Sequence, residues 1–252
     1  MKIVLLGSGN VATHLGKALK DRGHIILQIW SRTPGHAQAL GKSLQCDFTS
    51  NLSHINEEGE IYIVAVSDDA INEVASSFPL QNKILVHTSG TTDLDIPGIS
   101  GVFYPLQTFS KQKDVDFSKI PIAIEGRNSE VTEQLNSLAK SVSSKVVLMN
   151  SEQRKALHIA AVFACNFSNH LYAIADKILS DNGLDFNLIK PLITETAEKV
   201  QQNPPVSVQT GPAVRRDQIT LNKHLDFLKD ITPFKDIYEQ LSQSIINFDQ
   251  KA

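Results

Sequence analysis

An excess of charge is missing from this sequence: 24 lysines and arginines stand against 27 aspartates and glutamates, a net charge of −3 over 252 residues. Such a balance leaves no basic footprint for nucleic acid or for an anionic membrane surface. Cysteine is scarce too. Cys46 and Cys165 sit far apart and lack metal-ligand spacing. Neither a disulfide framework nor a metal site is expected, and a reducing compartment is the simpler reading. Long apolar runs are also absent. The first one, Ile3-Val4-Leu5-Leu6, stops at Gly7, too short for a signal-peptide core. The ~18 consecutive apolar residues of a membrane span occur nowhere. Internal repeats and low-complexity tracts are missing as well. The expectation is a soluble, cytoplasmic protein with no nucleic-acid or membrane partner.

What is present resembles an ordinary globular chain, 41% apolar and 20% charged, long enough for two packed domains. Short β-branched runs cover residues 2–6, 25–30, 61–66 and 83–87, with briefer ones at 102–104, 120–124 and 146–149. They are nearly continuous in apolar character, which suits parallel strands covered on both faces. Helical patterns at 11–22, 36–44, 70–76 and 129–141 lie between them. That alternation predicts a doubly wound parallel sheet. After about residue 150 the pattern changes. Ser151 stands where a helix cap is wanted, and 152–179 is alanine-rich and free of glycine and proline. Further helices are expected at 185–201, 217–229 and 233–248, with Pro191 disturbing the first of them. The expected fold class is α/β: a Rossmann domain over residues 1–150, then an all-helical domain over 151–252.

The first strand runs directly into Gly7-Ser8-Gly9-Asn10-Val11-Ala12, which reads G-x-G-x-x-A and opens the first helix. Gly7 suits the tight turn out of the strand, Gly9 the close approach of a pyrophosphate, and Ala12 the close packing of helix on sheet. The helix N-terminus adds free N–H groups and a positive dipole end. Between a strand and a helix, with the second strand following at the right distance, this fingerprint points to a bound dinucleotide. The second strand ends in Ser31-Arg32-Thr33, without the acid that binds a ribose 2′-hydroxyl in NAD enzymes. Arg32 can bond a 2′-phosphate, worth roughly 1.5–3 kcal/mol, with hydroxyl donors from Ser31 and Thr33. The expected cofactor is NADP. Two later strand ends, Val66-Ser67-Asp68-Asp69 and His87-Thr88-Ser89-Gly90, should line the same crevice, so Val66, Ser67 and Ser89 join the cofactor candidates. Asp68 and Asp69 fit a cap for the helix near Ala70 at least as well as a ligand contact.

With these residues in place, the N-terminal half resembles the dinucleotide domain of pyrroline-5-carboxylate reductase, 6-phosphogluconate dehydrogenase and the deazaflavin-dependent NADP oxidoreductases. The residues that carry this are the opening fingerprint, Ser31-Arg32, the stretch from Val64 to Ile71 and Gly101-Val102-Phe103-Tyr104-Pro105. The whole chain is more similar to a bacterial family that joins such a domain to a helical C-terminal domain of unassigned function. Pro105-Leu106-Gln107-Thr108-Phe109, the stretch from His158 to Asn166, and Thr210-Gly211-Pro212-Ala213-Val214-Arg215-Arg216-Asp217 with His224 carry that likeness. The resemblance implies hydride transfer to or from a small molecule and a homodimer formed through the helical domain. One feature of related hydroxyacid dehydrogenases is absent. Lys155 is followed four residues later by Ile159 instead of asparagine, so their catalytic pair is not carried over.

Catalytic candidates come from the helical region. At about 100° per residue, His158, Cys165, Asn166 and Asn169 fall near one face. A polar stripe in an apolar helix needs partners or a cavity. His158 is a candidate to protonate the atom that gains charge as hydride arrives, and Asn166 to orient it. Bonds to neighbouring helices or across a subunit interface account for the stripe equally well. Thr210, Gly211, Arg215 and Arg216 form the second candidate site, where adjacent arginines suit a carboxylate or phosphate of a substrate. His224 shares a face with Asp217 and is a candidate partner for it, while Asp217 also fits a helix cap. Tyr104, at a strand end, is a further proton-donor candidate. The leading expectation is an NADP-dependent oxidoreductase for a small polar, anionic metabolite. The alternative is a non-catalytic NADP-binding sensor or scaffold whose helical domain serves assembly.

Overall fold

The computed structural model describes residues 1–110 and 113–249. Their strands are β1 (Lys2–Leu6), β2 (Ile25–Trp30), β3 (Asp47–Thr49), β4 (Ile61–Val64), β5 (Ile84–His87), β6 (Gly101–Pro105), β7 (Ile122–Gly126) and β8 (Val146–Leu148). One eight-stranded sheet contains them in the order β3-β2-β1-β4-β5-β6-β7-β8. The chain leaves β1 in one direction through β2 and β3, then returns to its other side at β4. This reversal opens a crevice at the carboxyl ends of β1 and β4, where ligands of open α/β sheets bind.

Helices α1 (Asn10–Asp21), α2 (Pro34–Leu44), α3 (Ile71–Ser76) and α4 (Ser129–Val142) cover the sheet. Strand side chains alternate between two cores, as the pleat requires. Ile3, Leu5, Ile61 and Ile63 lie in one, with Leu15, Leu19 and Leu135 of the helices. Val4, Leu6, Tyr62 and Val64 lie in the other, with Ile71 and Val74. Both faces are buried, hence the unbroken apolar strands.

Two departures from the expected sheet have physical reasons. β3 was not anticipated, because it is a three-residue edge strand with an exposed Phe48. And β7 runs antiparallel to β6, with Gly101 opposite Gly126 and Pro105 opposite Ile122. A parallel return needs a crossover element. Among the described residues the β6–β7 connection holds only the short 3-10 turn Phe117–Lys119.

After β8 come α5 (Ser151–Ala161), α6 (Ser168–Asp181), α7 (Lys190–Gln202), α8 (Gln218–Phe227) and α9 (Thr232–Asp249). The single long helix expected over 152–179 is interrupted by a π-helical turn, Val162–Phe167. Wider turns of this kind change the angular phase, so a count at 100° per residue does not carry from His158 across to Asn169. Asn150, not Ser151, caps α5, in a reciprocal box with Gln153.

The chain divides into two compact units, Met1–Asn166 and Phe167–Ala252. The first therefore includes α5 with the sheet. In the second, the buried residues among those described are Ala213, Leu221 and Leu228. No helix among the described residues is long and apolar enough to cross a membrane.

Candidate active site

Residues from four segments meet at the carboxyl ends of β1, β2 and β4. Gly7, Ser8, Gly9, Asn10, Val11, Ser31, Arg32, Thr33, Val66 and Ser67 line one cavity of about 520 Å³, joined by Trp30, Leu52 and Glu73. That volume is in the range of small-molecule sites, roughly 300–1,000 Å³.

The turn is built from the strand upward. Gly7 has φ +136, and a Cβ there would lie 2.1 Å from the Ala65 carbonyl oxygen. Only glycine allows β1 to turn this close to β4. In front of Gly9 a Cβ would meet nothing within 4 Å. No side chain caps α1 and no acid occupies its first turn. Its first N–H groups are thus left for an anion from outside the chain. Trp30 is 7% exposed, and its indole Nε1 has no hydrogen-bond partner. A buried donor without a partner in the wall of a cavity fits a bound polar ligand. At the far end the Ser8 hydroxyl donates to that of Ser31 at 2.8 Å. α2 likewise starts with no side-chain cap and no acid in its first turn. Asp69 is held below the usual carboxylate range by a bond from the Ser67 hydroxyl, with Arg32 a smaller contributor. The residues present fit a dinucleotide with a phosphorylated adenosine ribose.

A second constellation sits at the ends of β5 and β6. The Tyr104 hydroxyl and His158 Nδ1 are 3.0 Å apart. Gly90 packs against both: a Cβ there would lie 2.6 Å from His158 Nδ1 and 2.9 Å from Tyr104 Cζ. Burial pushes the Tyr104 phenol up from its usual value, and the Asp68 carboxylate adds to this while Arg154 opposes it. The phenol therefore stays protonated at neutral pH. Asp68 accepts from the Thr91 hydroxyl at 2.6 Å, and neither Asp68 nor Asp69 caps a helix through its side chain.

Loop 88–94 runs alongside α5 and places Gly90. The Arg154 guanidinium bonds the Thr92 carbonyl, Lys155 pairs with Asp93 at 2.7 Å, and the Leu94 N–H donates to Ser151 Oγ at 3.2 Å. Arg154 is 1% exposed and pairs with Glu125 of β7, which also accepts from the Ser151 N–H and hydroxyl. Sequence reasoning missed Arg154; it named Gly90 only within the His87–Gly90 strand end and favoured a helix cap for Asp68. Arg154 stands between Gln153 and Lys155, so its sequence neighbours gave no signal of its burial.

Ser89, expected to touch the cofactor, is buried inside its own turn. Its hydroxyl accepts from the N–H groups of Thr91 and Thr92, and its N–H donates to His87 Nδ1 at 3.2 Å. His87 Nε2 donates to the Asp93 carbonyl at 3.3 Å, so the ring is neutral. Burial, then the charge of Arg154, pushes His87 down to about 4. The unfolded chain takes a proton here at about pH 6.5 that the folded chain refuses until about pH 4. Stability from this group is therefore present at neutral pH and lost as pH falls through that window. The loss approaches roughly 3 kcal/mol when the window is crossed in full. Thermal melts from pH 7 to 4 should show a shallower decline in His87→Gln; an unchanged decline would remove His87 as its source.

The remaining candidates belong to other segments. Asn166 is exposed in the π turn. Thr210, Arg215 and Arg216 are exposed on a loop shaped by Gly211 at φ +114 and Arg216 at φ +53. The expected pairing of His224 with Asp217 does not form. Asp217 caps α8, accepting from the Thr220 N–H at 3.1 Å and its hydroxyl at 2.7 Å. His224 Nδ1 instead bonds the Tyr238 hydroxyl of α9 at 2.7 Å.

Fold and cavity define a Rossmann protein of the NADP-oxidoreductase class. Residues 2–90 match the family model for coenzyme F420-dependent NADP oxidoreductase, and residues 120–245 that of the domain of unknown function DUF2520. The chain belongs to the DUF2520 family. A Bacteroides fragilis structure assigned as an NADP oxidoreductase is 41% identical with TM-score 0.90, covering 98% of both chains. A Thermotoga maritima protein is 24% identical with TM-score 0.75 over 99% of this chain and 98% of its own. An imine reductase from Myxococcus stipitatus in complex with NADP+ shares 15% identity and TM-score 0.67, over 100% and 94%. No curated protein matches the chain.

Proposed function

We propose that the chain is an NADP-dependent oxidoreductase that moves hydride to or from a small polar, anionic metabolite. The observation that carries the reading is the Tyr104–His158 pair at the same sheet edge as the cofactor cavity. The Bacteroides fragilis neighbour assigned as an NADP oxidoreductase and the imine reductase in complex with NADP+ support the cofactor. The α1 N-terminus with Gly7 to Val11 would hold the diphosphate, and Ser31, Arg32 and Thr33 the 2′-phosphate. When bound, the nicotinamide supplies or takes the hydride.

The chain's own task is the proton. In the reducing direction the Tyr104 O–H bond breaks and its proton goes to the substrate oxygen or nitrogen. The phenolate oxygen then regains a proton from solvent by way of His158 Nδ1, its partner at 3.0 Å. Within the helical unit, Arg215 and Arg216, with Thr210, Gly211 and His224, are proposed as an anion-binding loop, and Asn166 as a further orienting group. The helical unit is proposed to pair with a second copy. It buries few residues of its own, while Leu184, Leu188 and Leu192 are more than half exposed.

Calorimetry on wild type and Arg32→Ala tests the cofactor assignment, on material whose mass is read by light scattering. NADPH should bind at least about tenfold tighter than NADH, with the preference lost in the variant. Equal affinities would reject the role of Arg32, and a 27.7 kDa particle would reject the dimer. NADPH binding with no turnover of any acceptor would favour the non-catalytic scaffold.

A further inference from the structure

The loop that follows β6 is fastened to the cofactor helix at several points. Asn10, the first residue of α1, donates through Nδ2 to the Phe109 carbonyl at 2.8 Å. His14, buried one turn further along, bonds the Ser110 carbonyl through Nε2 at 2.8 Å. Its ring stacks on Phe109 with centroids 5.3 Å apart, and Phe109 stacks on Phe117 at 5.8 Å. A residue of the phosphate-binding turn and a buried histidine are thus committed to holding one exposed pair, Gln107 and Thr108, beside the start of α1.

Gln107 is oriented by its own neighbour. Its Oε1 accepts from the Thr108 N–H at 2.8 Å and from the Thr108 hydroxyl at 3.3 Å. With the carbonyl oxygen engaged by donors, the exposed amide NH2 has no protein partner among the described residues. These N–H donors belong to a loop that Asn10, a residue of the cavity lining at the uncapped α1 N-terminus, holds through the Phe109 carbonyl. A phosphate bound at that terminus would accept from donors of both kinds.

We infer that Gln107 is a ligand of the cofactor's diphosphate, presented by a loop that Asn10 and His14 staple to α1. The inference rests on the NADP reading and extends it to a residue outside the glycine fingerprint. Pro105 ends β6 and Tyr104 precedes it, so the staple also fixes the strand end that carries the proposed proton donor. Cofactor and proton donor share one mount.

The test compares NADPH with adenosine 2′-phosphate, which lacks the diphosphate, on wild type, Gln107→Ala and His14→Ala. Affinities come from calorimetry and competition. Gln107 is exposed, so Gln107→Ala should melt with wild type. It should bind NADPH about tenfold more weakly and adenosine 2′-phosphate unchanged. His14→Ala should shift NADPH in the same direction by freeing the loop. Unchanged NADPH affinity in Gln107→Ala overturns the inference while leaving the cofactor reading intact. Equal losses for both ligands overturn it too, because they report a general disturbance. A wild type that fails to bind NADPH removes the cofactor reading and this inference together.

Discussion

Arg154→Ala is expected to lower the stability of the protein by about 3–5 kcal/mol, the usual consequence of removing one partner from a buried ion pair. The guanidinium is fully enclosed, and it joins three parts of the fold: Glu125 on β7, the Thr92 carbonyl on the loop after β5, and Ser151 at the start of α5. Without it the Glu125 side chain, 16% exposed, retains only its bonds from Ser151. Arg154 Nε is already without a partner, so the pair is imperfectly satisfied even in the intact protein. That makes a sharper contrast available. Arg154→Met combined with Glu125→Leu should recover much of the loss, because an apolar pair of similar volume avoids a stranded charge. Urea melts of the single and double variants decide it. A single variant within about 1 kcal/mol of wild type would show that the pair only breaks even against its desolvation.

Tyr104→Phe is expected to lower kcat by about 10²- to 10⁴-fold, the span of a positioned general acid. His158→Gln should fall in the same range, since it removes the group that refills the phenol. Both variants should bind NADPH like wild type, because neither residue lines the cofactor cavity. The measurement is NADPH oxidation, with the best acceptor from a panel of small carboxylated ketones and imines. The two losses should not add in Tyr104→Phe/His158→Gln, because the residues act in one relay. Full activity in Tyr104→Phe would move the proton donor elsewhere. Losses that multiply in the double variant would separate the two residues into independent roles.

The cofactor half of the site was legible because its demands are local. A tight turn between a strand and a helix must be made by adjacent residues, so Gly7, Gly9 and Ala12 stand together in the chain. Ser31, Arg32 and Thr33 were legible for the same reason, since the end of the second strand is marked by its own apolar run. The alternation of buried runs with helical patterns was likewise enough for the α/β class. The proposed catalytic half was only partly legible. Tyr104 and His158 each drew notice, yet 54 positions separate them. Their meeting depends on loop 88–94 lying along α5 and on glycine at position 90, whose side chain would otherwise occupy that space.

Arg154 was invisible as an anchor because an arginine in a helix is usually solvated, and only burial against Glu125 reveals its task. The direction of β7 was hidden for a related reason. The apolar run at 120–124 is the same for either direction, and the connection before it decides the pairing. The sequence by itself determined the Rossmann class, the dinucleotide turn and the absence of an acid at the 2′ position, all of which follow from contacts between near neighbours. Tertiary structure alone decided the Tyr104–His158 pair, the buried Arg154–Glu125 anchor and the stapled Gln107 loop, because each joins segments that nothing but packing brings together.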